Sequence, residues 1–149
     1  MKRIVIIFML VPILFLFGCS KVYKWEFEKP SSAIKQISII YIETHLYNTE
    51  EIINIPPVKL IDSNQNSEFY EEINKLTMKN MFHMEPLFPH GYCFLIDYGN
   101  DEYCILSIQG SGFIYYDENS NSFINDSVDL AFNNDEYSKL LDKYLEFKK

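Results

Sequence analysis

Cysteine is scarce, at three in 149 residues. Dense disulfide scaffolds, which hold small exported domains together, are thereby excluded. Positive charge is also short: 13 Lys and Arg face 21 Asp and Glu, for a net charge of −8. Nucleic-acid binding needs a basic footprint and is excluded; adsorption to anionic headgroups needs surface cations and is excluded with it. The chain has a single long apolar run, Ile4 to Phe17, of fourteen residues interrupted only by Pro12. A membrane-spanning helix needs about 20. There is no internal repeat and no low-complexity tract. Nor is there a phosphate-cradling loop, because Gly110-Ser111-Gly112 falls between two predicted strands and not ahead of a helix.

What is present starts at the N-terminus. Lys2 and Arg3 precede the apolar run, and Gly18 and Cys19 close it. A positive start, an apolar stretch of about 7–15 residues and a small residue at the cut describe a secretory signal. Leu16-Phe17-Gly18-Cys19 resembles the lipobox of bacterial lipoproteins, with Phe17 where that family usually carries a smaller side chain. The resemblance implies cleavage between Gly18 and Cys19 and a diacylglyceryl group on the Cys19 thiol. Residues 1–18 are then the signal peptide and residues 19–149 a single domain on a very short tether. Each buried methylene adds about 0.8 kcal/mol, so two acyl chains hold where one is marginal. The expected location is the extracytoplasmic side of a cell membrane or an outer membrane.

Cleavage removes Lys2 and Arg3, so the remaining domain is more acidic still. Its aromatic residues, 16% of the whole chain, suffice for a core. Apart from Cys19 it holds Cys93 and Cys104. If Tyr98 pairs with Tyr103 across the turn at Gly99 to Glu102, Cys93 faces Ile108 and Cys104 faces Asp97. The thiols then share a face but lie too far apart for the ~6 Å between Cα atoms that a bridge requires. Two buried free cysteines are expected.

The pattern along the domain predicts strands at Val22–Glu28, Lys35–Tyr47 and, less regularly, Ile52–Ile61, where Pro56-Pro57 marks an edge or bulge. Asp62 to Ser67 caps a helix over Ser67–Thr77, with Phe69, Ile73 and Leu76 at helical spacing. Asn80 to His90 is irregular. A meander follows over Gly91–Tyr98, Tyr103–Gln109 and Gly112–Asp117, with a tight turn at Gly110-Ser111. The last element is a helix over Asn134–Lys148 with Asn133 and Glu136 as a capping box and Tyr137, Leu140, Leu141, Tyr144 and Leu145 as its stripe. The fold class is α+β: one antiparallel sheet of about five to seven strands, two helices on one face, the C-terminal helix last. The domain is similar to small lipoproteins of low-GC bacteria that pair a short sheet with two helices.

In that register one sheet face carries Cys93, Leu95, Cys104, Leu106, Ile108 and Phe113 and suits packing under helices. The other carries Phe94, Tyr98, Tyr103 and Tyr116. Tyrosines offer large area with a polar tip, so this second face is either a surface for an envelope protein partner or is covered by the N-terminal strands. A weaker alternative is a copper site in Met78–His90, where His83, Met84 and His90 are soft or borderline ligands. His90 and Cys93 have the residue types of a nucleophile and its base, but in a strand–loop setting with no obvious oxyanion turn. Ser32-Ala33-Ile34-Lys35 has the Ser-x-x-Lys spacing of penicillin-recognising enzymes, but no Ser-Asp-Asn or Lys-Thr-Gly follows it. Paired carboxylates, Glu71-Glu72 and Asp117-Glu118, fall where solvated helix and turn charges belong. The reading is a non-enzymatic, lipid-anchored envelope protein, binding or structural in role, without a cofactor.

Overall fold

The computed structural model describes residues 22–43, 49–80, 89–108, 110–128 and 130–146. Nine strands and three helices occur among them: β1 (Val22–Lys24), β2 (Gln36–Ile42), α1 (Thr49–Ile53), β3 (Lys59–Ile61), α2 (Asn66–Ile73), β4 (Thr77–Asn80), β5 (Gly91–Gly99), β6 (Glu102–Leu106), β7 (Ser111–Asp117), β8 (Ser122–Val128), β9 (Leu130–Phe132) and α3 (Asn134–Leu145). The fold is α+β. A six-stranded antiparallel sheet runs β3-β2-β5-β6-β7-β8, and a three-stranded antiparallel sheet runs β1-β4-β9. The chain changes sheets between Val128 and Leu130, so β8 and β9 turn the edge of the large sheet into the small one.

The large sheet is buried on both faces at its centre, and the sequence of β2 shows why. Ile37 and Ile39 point to one face, Ile40 and Ile42 to the other, and all four are buried. A near-continuous apolar run is what a two-sided central strand requires. The front face carries the main core. There Ile37, Ile39, Phe94, Ile96 and Leu106 meet Phe69 and Ile73 of α2, the α3 stripe, and Trp25, Met78 and Phe132 from the small sheet. Phe94 is the hub, with ring centroids 4.8 Å from Phe69 and 5.6 Å from Tyr137. Tyr137 is fully buried and donates its hydroxyl to the Leu106 carbonyl at 2.7 Å, so the one polar atom it carries inward is satisfied. The back face carries a smaller cluster of Ile40, Ile42, Cys93, Leu95, Ile105 and Ile114, with Ile52 of α1 against it.

The α3 stripe of Tyr137, Leu140, Leu141 and Tyr144 is buried as its spacing predicts. The capping box is only half formed. The Asn133 side chain accepts from the N–H groups of Asp135 and Glu136 at 3.1 and 3.4 Å. The Glu136 carboxylate, which a reciprocal box would return to Asn133, accepts instead from the Thr77 N–H and hydroxyl at 2.7 and 2.9 Å. It thereby ties α3 to β4. Across the two longer helices Lys143 reaches Glu68 and Glu72 at 2.6 Å each, and the Tyr144 hydroxyl donates to Glu72 at 2.9 Å.

Four expectations are corrected. The predicted third strand, Ile52–Ile61, is the short helix α1 followed by β3. Glu50 and Glu51 sit in the first turn of α1, where negative charge complements the helix dipole, and Pro56-Pro57 lies in the gap before β3. The first strand pairs only over Val22–Lys24, although alternation continues to the buried Trp25. The tight turn at Gly110-Ser111 is longer and begins at Ser107: its N–H donates to Ser111 Oγ at 3.1 Å, and Ser111 Oγ donates to the Ser107 carbonyl at 3.0 Å.

The fourth correction is the register. Asp97 pairs with Tyr103 and Ile96 with Cys104, while Gly99 pairs with Glu102, so Tyr98 is an extra residue with no partner opposite. A β-bulge inserts one residue in this way and bends the strand. A shift of one residue flips every side chain of the neighbouring strand to the other face. Cys93 therefore belongs to the back cluster and Cys104 to the front. Both are free and buried as expected, but because they lie on opposite faces of the sheet.

Candidate functional site

The bulge decides where the aromatic side chains of β5 to β7 go. Gly99, Asn100 and Asp101 have φ of 77°, 54° and 57°. Positive φ at both central residues suits a two-residue hairpin loop whose twist matches its strands. The Asp97 carboxylate accepts from the Gly99 N–H at 2.6 Å and holds the bulge closed. Its φ of 77° favours glycine at position 99, and a Cβ there would have to push aside the flexible end of Lys35, whose Nζ would lie 1.8 Å away. With the loop fixed, Tyr98 is thrown onto the front face, where it joins the main core cluster.

Tyr98 is only 7% exposed, and its hydroxyl finds no hydrogen-bond partner among the described residues. Burial pushes this phenol upward, with Cys104, Tyr70 and Glu28 adding to it. It is a neutral hydroxyl in a negative field. Beside it lies a cavity of about 70 Å³ lined by Glu28, Lys29, Tyr98, Glu102, Tyr103, Phe113, Ile114 and Tyr115. Lys29 Nζ lies 5.5 Å from the Tyr98 ring centroid, a cation–π distance, and forms an ion pair with Glu102. The rim is open to solvent: Tyr115 is 40% exposed, and the side chains of Lys29 and Glu102 are 34% and 43% exposed. Trp25 stacks on Phe113 with centroids 5.4 Å apart.

The predicted partner surface is divided by the same bulge. Phe94 is fully buried and Tyr98 nearly so, both on the front face, so neither belongs to an exposed aromatic patch. Tyr103 and Tyr116 are on the back face, where Phe123 lies between them at centroid distances of 6.4 and 5.3 Å. Tyr116 is 37% exposed and donates to Asn121 Oδ1 at 2.6 Å. Burial is the first cause raising the Tyr103 phenol, followed by Asp97 and Asp101. Sequence reasoning missed Tyr115, Lys29, Glu28 and Glu102. The available signal was the Tyr115-Tyr116 pair, because adjacent strand residues face opposite ways and only one of them can be on any chosen face.

Of the remaining candidates, Gly18, Cys19, His83 and Met84 lie outside the described residues. His90 is exposed just ahead of β5. Among the described residues no group of three His, Cys, Asp or Glu side chains gathers as a metal site would require. Cys93 Sγ points at backbone carbonyls, those of His90 and Gly91 at 3.7 and 3.5 Å. Burial raises its thiol to about 12 against a lowering hydrogen bond from Ser107, so it is not a thiolate at neutral pH. Glu72 holds α3, and Asp117 caps the β7–β8 turn, accepting from Ser120 Oγ at 2.8 Å and from the Asn119 and Ser120 N–H groups at 3.2 Å each. No described helix is long and apolar enough to cross a membrane. No protein-family model matches the chain, and no curated protein and no solved structure is significantly similar to it.

Proposed function

We propose that the chain is an exported lipoprotein, held by a diacylglyceryl group on Cys19, whose domain is a non-enzymatic binding module for another component of the cell envelope. The observation that carries this reading is how little chain separates Cys19 from the fold. β1 begins three residues later, at Val22, and by Trp25 the chain is in the core. At no more than ~3.6 Å per residue, Val22 stays within about 11 Å of the anchored cysteine and Lys29 within about 36 Å. The domain thus works at the membrane surface, on the cell membrane or an outer membrane, and not on a long stalk.

A binding role is supported by the open tyrosine-bearing end of the large sheet. Tyr115 on the front and Tyr116 on the back expose large rings with polar tips, a residue type enriched at interfaces. Among the described candidates for chemistry, the Cys93 thiol is buried and neutral, and Glu72 and Asp117 are engaged in a helix contact and a turn. Two measurements test the proposal. Intact mass of the detergent-extracted product should show a chain starting at lipid-modified Cys19; a chain starting at Met1 overturns the anchor. In-cell crosslinking should capture an envelope protein whose yield falls when Tyr103 and Tyr116 are both changed to Ser; unchanged yield overturns the binding surface.

A further inference from the structure

We propose that the Tyr41–Tyr92 pair seats the domain on the lipid surface in which Cys19 is anchored, so that the hairpin turns at the other end of the large sheet face away from it. The inference deepens the reading above and rests on its lipid anchor. It starts from an exposed aromatic pair. Tyr41 and Tyr92 lie opposite each other on β2 and β5, with ring centroids 4.9 Å apart in an edge-on contact. They are 49% and 43% exposed, although Ile39 and Phe94, the next residues along the same face, are fully buried. A lone exposed ring is ordinary; two in contact at the bare end of an otherwise buried face form a patch.

The chain leading to Cys19 leaves the fold at that same end. The N-terminal segment runs along the front face. Lys29 pairs with Glu102 beside the Gly99 turn, and Trp25 stacks on Phe113, which lies opposite Cys104 and further from that turn. Continuing backward, Val22 shares a row of the small sheet with Lys79 and Ala131. The next row holds Leu130, two residues after Val128, which pairs with Ser111 at the start of β7, away from the Gly99 turn. Val22, itself exposed, therefore sits at the Tyr41–Tyr92 end and on the same side of the large sheet. Cys19 precedes it by three residues, about 11 Å at full extension. Acyl chains on Cys19 bring this end to the bilayer. Tyrosine suits that place, because its ring enters the interface while its hydroxyl stays among the headgroups. Asp101, Glu102, Asp117 and Glu118, in the turns at the opposite end, remain in water. Glu43, exposed just after β2, leaves the contact to the rings and not to attraction for anionic lipid.

The test uses the lipid-modified protein, reconstituted from detergent into phosphatidylcholine vesicles carrying a nitroxide on the acyl chain just below the headgroup. Tyr92→Trp and Tyr41→Trp place an emitter on each member of the pair, and Tyr116→Trp places one at the far end of the sheet. Emission of the unmodified chain, whose single tryptophan Trp25 is buried, is subtracted. Thermal melting in detergent confirms that each variant is folded. The nitroxide should remove most of the added emission of Tyr92→Trp and Tyr41→Trp and leave that of Tyr116→Trp as it is in unlabelled vesicles. Flotation reports whether the chain is on the vesicles at all. A chain that does not float overturns the anchor and this seating with it. A floating chain in which neither Tyr41→Trp nor Tyr92→Trp is quenched, or in which Tyr116→Trp is quenched as strongly, overturns the seating and leaves the anchor standing.

Discussion

Two hairpins of the large sheet, β5–β6 and β7–β8, end side by side, with the Tyr116 N–H donating to the Asp101 carbonyl at 3.2 Å, yet they are built on different terms. The β7–β8 hairpin keeps one register through seven consecutive pairs, Ser111–Val128 to Asp117–Ser122. The β5–β6 hairpin loses register at Tyr98, within two residues of its turn. Regular pairing gives each strand two predictable faces. The bulge sacrifices one ladder position, and the displaced residue, Tyr98, lines a cavity while its buried hydroxyl has no partner among the described residues. The regular hairpin is framework, and the irregular one positions the candidate site.

The contrast can be broken in several ways. The largest effect is expected from Phe94→Ala, which empties the ring at the centre of β5 that meets both helices; denaturant unfolding should show a loss of about 3–5 kcal/mol. A similar loss from truncating Phe123, at the exposed end of the regular hairpin, would abolish the distinction between the two. Next is Gly99→Val, which places a branched side chain at positive φ and against Lys35. It should cost about 1–3 kcal/mol by the same measurement. A neutral result would mean the bulge relaxes without it.

Two pH limbs sharpen the comparison. Cys93 and Cys104 both lie in the bulged hairpin, and burial raises both thiols, Cys93 from 9.0 to about 12. A raised group adds stability that is complete below its unfolded value and is lost as pH climbs toward the folded one. The melting temperature should therefore fall from about pH 9 upward, by about 1.4 kcal/mol of stability per pH unit for each such thiol. Both thiols should resist alkylation at pH 9 until the chain is unfolded. On the acid side the regular hairpin responds. Asp117 is held below its usual 3.8, chiefly by the Ser120 hydroxyl and then by the Asn119 N–H. That contribution is present above pH 3.8 and fades as the carboxyl protonates. Asp117 is partly exposed and sits in a solvent-facing turn, so Asp117→Asn should give the smallest change, detectable as loss of amide protection at Asn119 and Ser120 with little change in melting.

Much of this architecture is legible in the residues alone. The α3 stripe, the turns near Gly99 and Asn119, and the double-sided Ile pattern of β2 follow from periods of 3.6 and 2 and from turn chemistry. The candidate site does not follow. Gly99-Asn100-Asp101 announces a turn, but nothing in Asp97-Tyr98-Gly99 announces that the strand carries one residue too many, and that single residue reverses the faces of β5 and β6 relative to each other. Phe94 and Tyr98 were thereby grouped with Tyr103 and Tyr116, from which the sheet separates them. Lys29 and Glu102 lie 73 residues apart and meet only because the N-terminal segment crosses the front face, a long-range fact with no local signature. Ile52–Ile61 misleads for a different reason: its scattered isoleucines satisfy a strand period, while the acidic first turn ahead of them starts a helix.

The small sheet joins distant parts of the polypeptide in one row, since Val22 pairs with Lys79 and Lys79 with Ala131. Its first strand pairs with β4 alone, and β4 gains its second neighbour only when residues 130–132 are in place. Strands that depend on partners so far along the chain close late, after the local hairpins have formed. A small sheet assembled from three remote segments is therefore expected to close after the local hairpins of the large one.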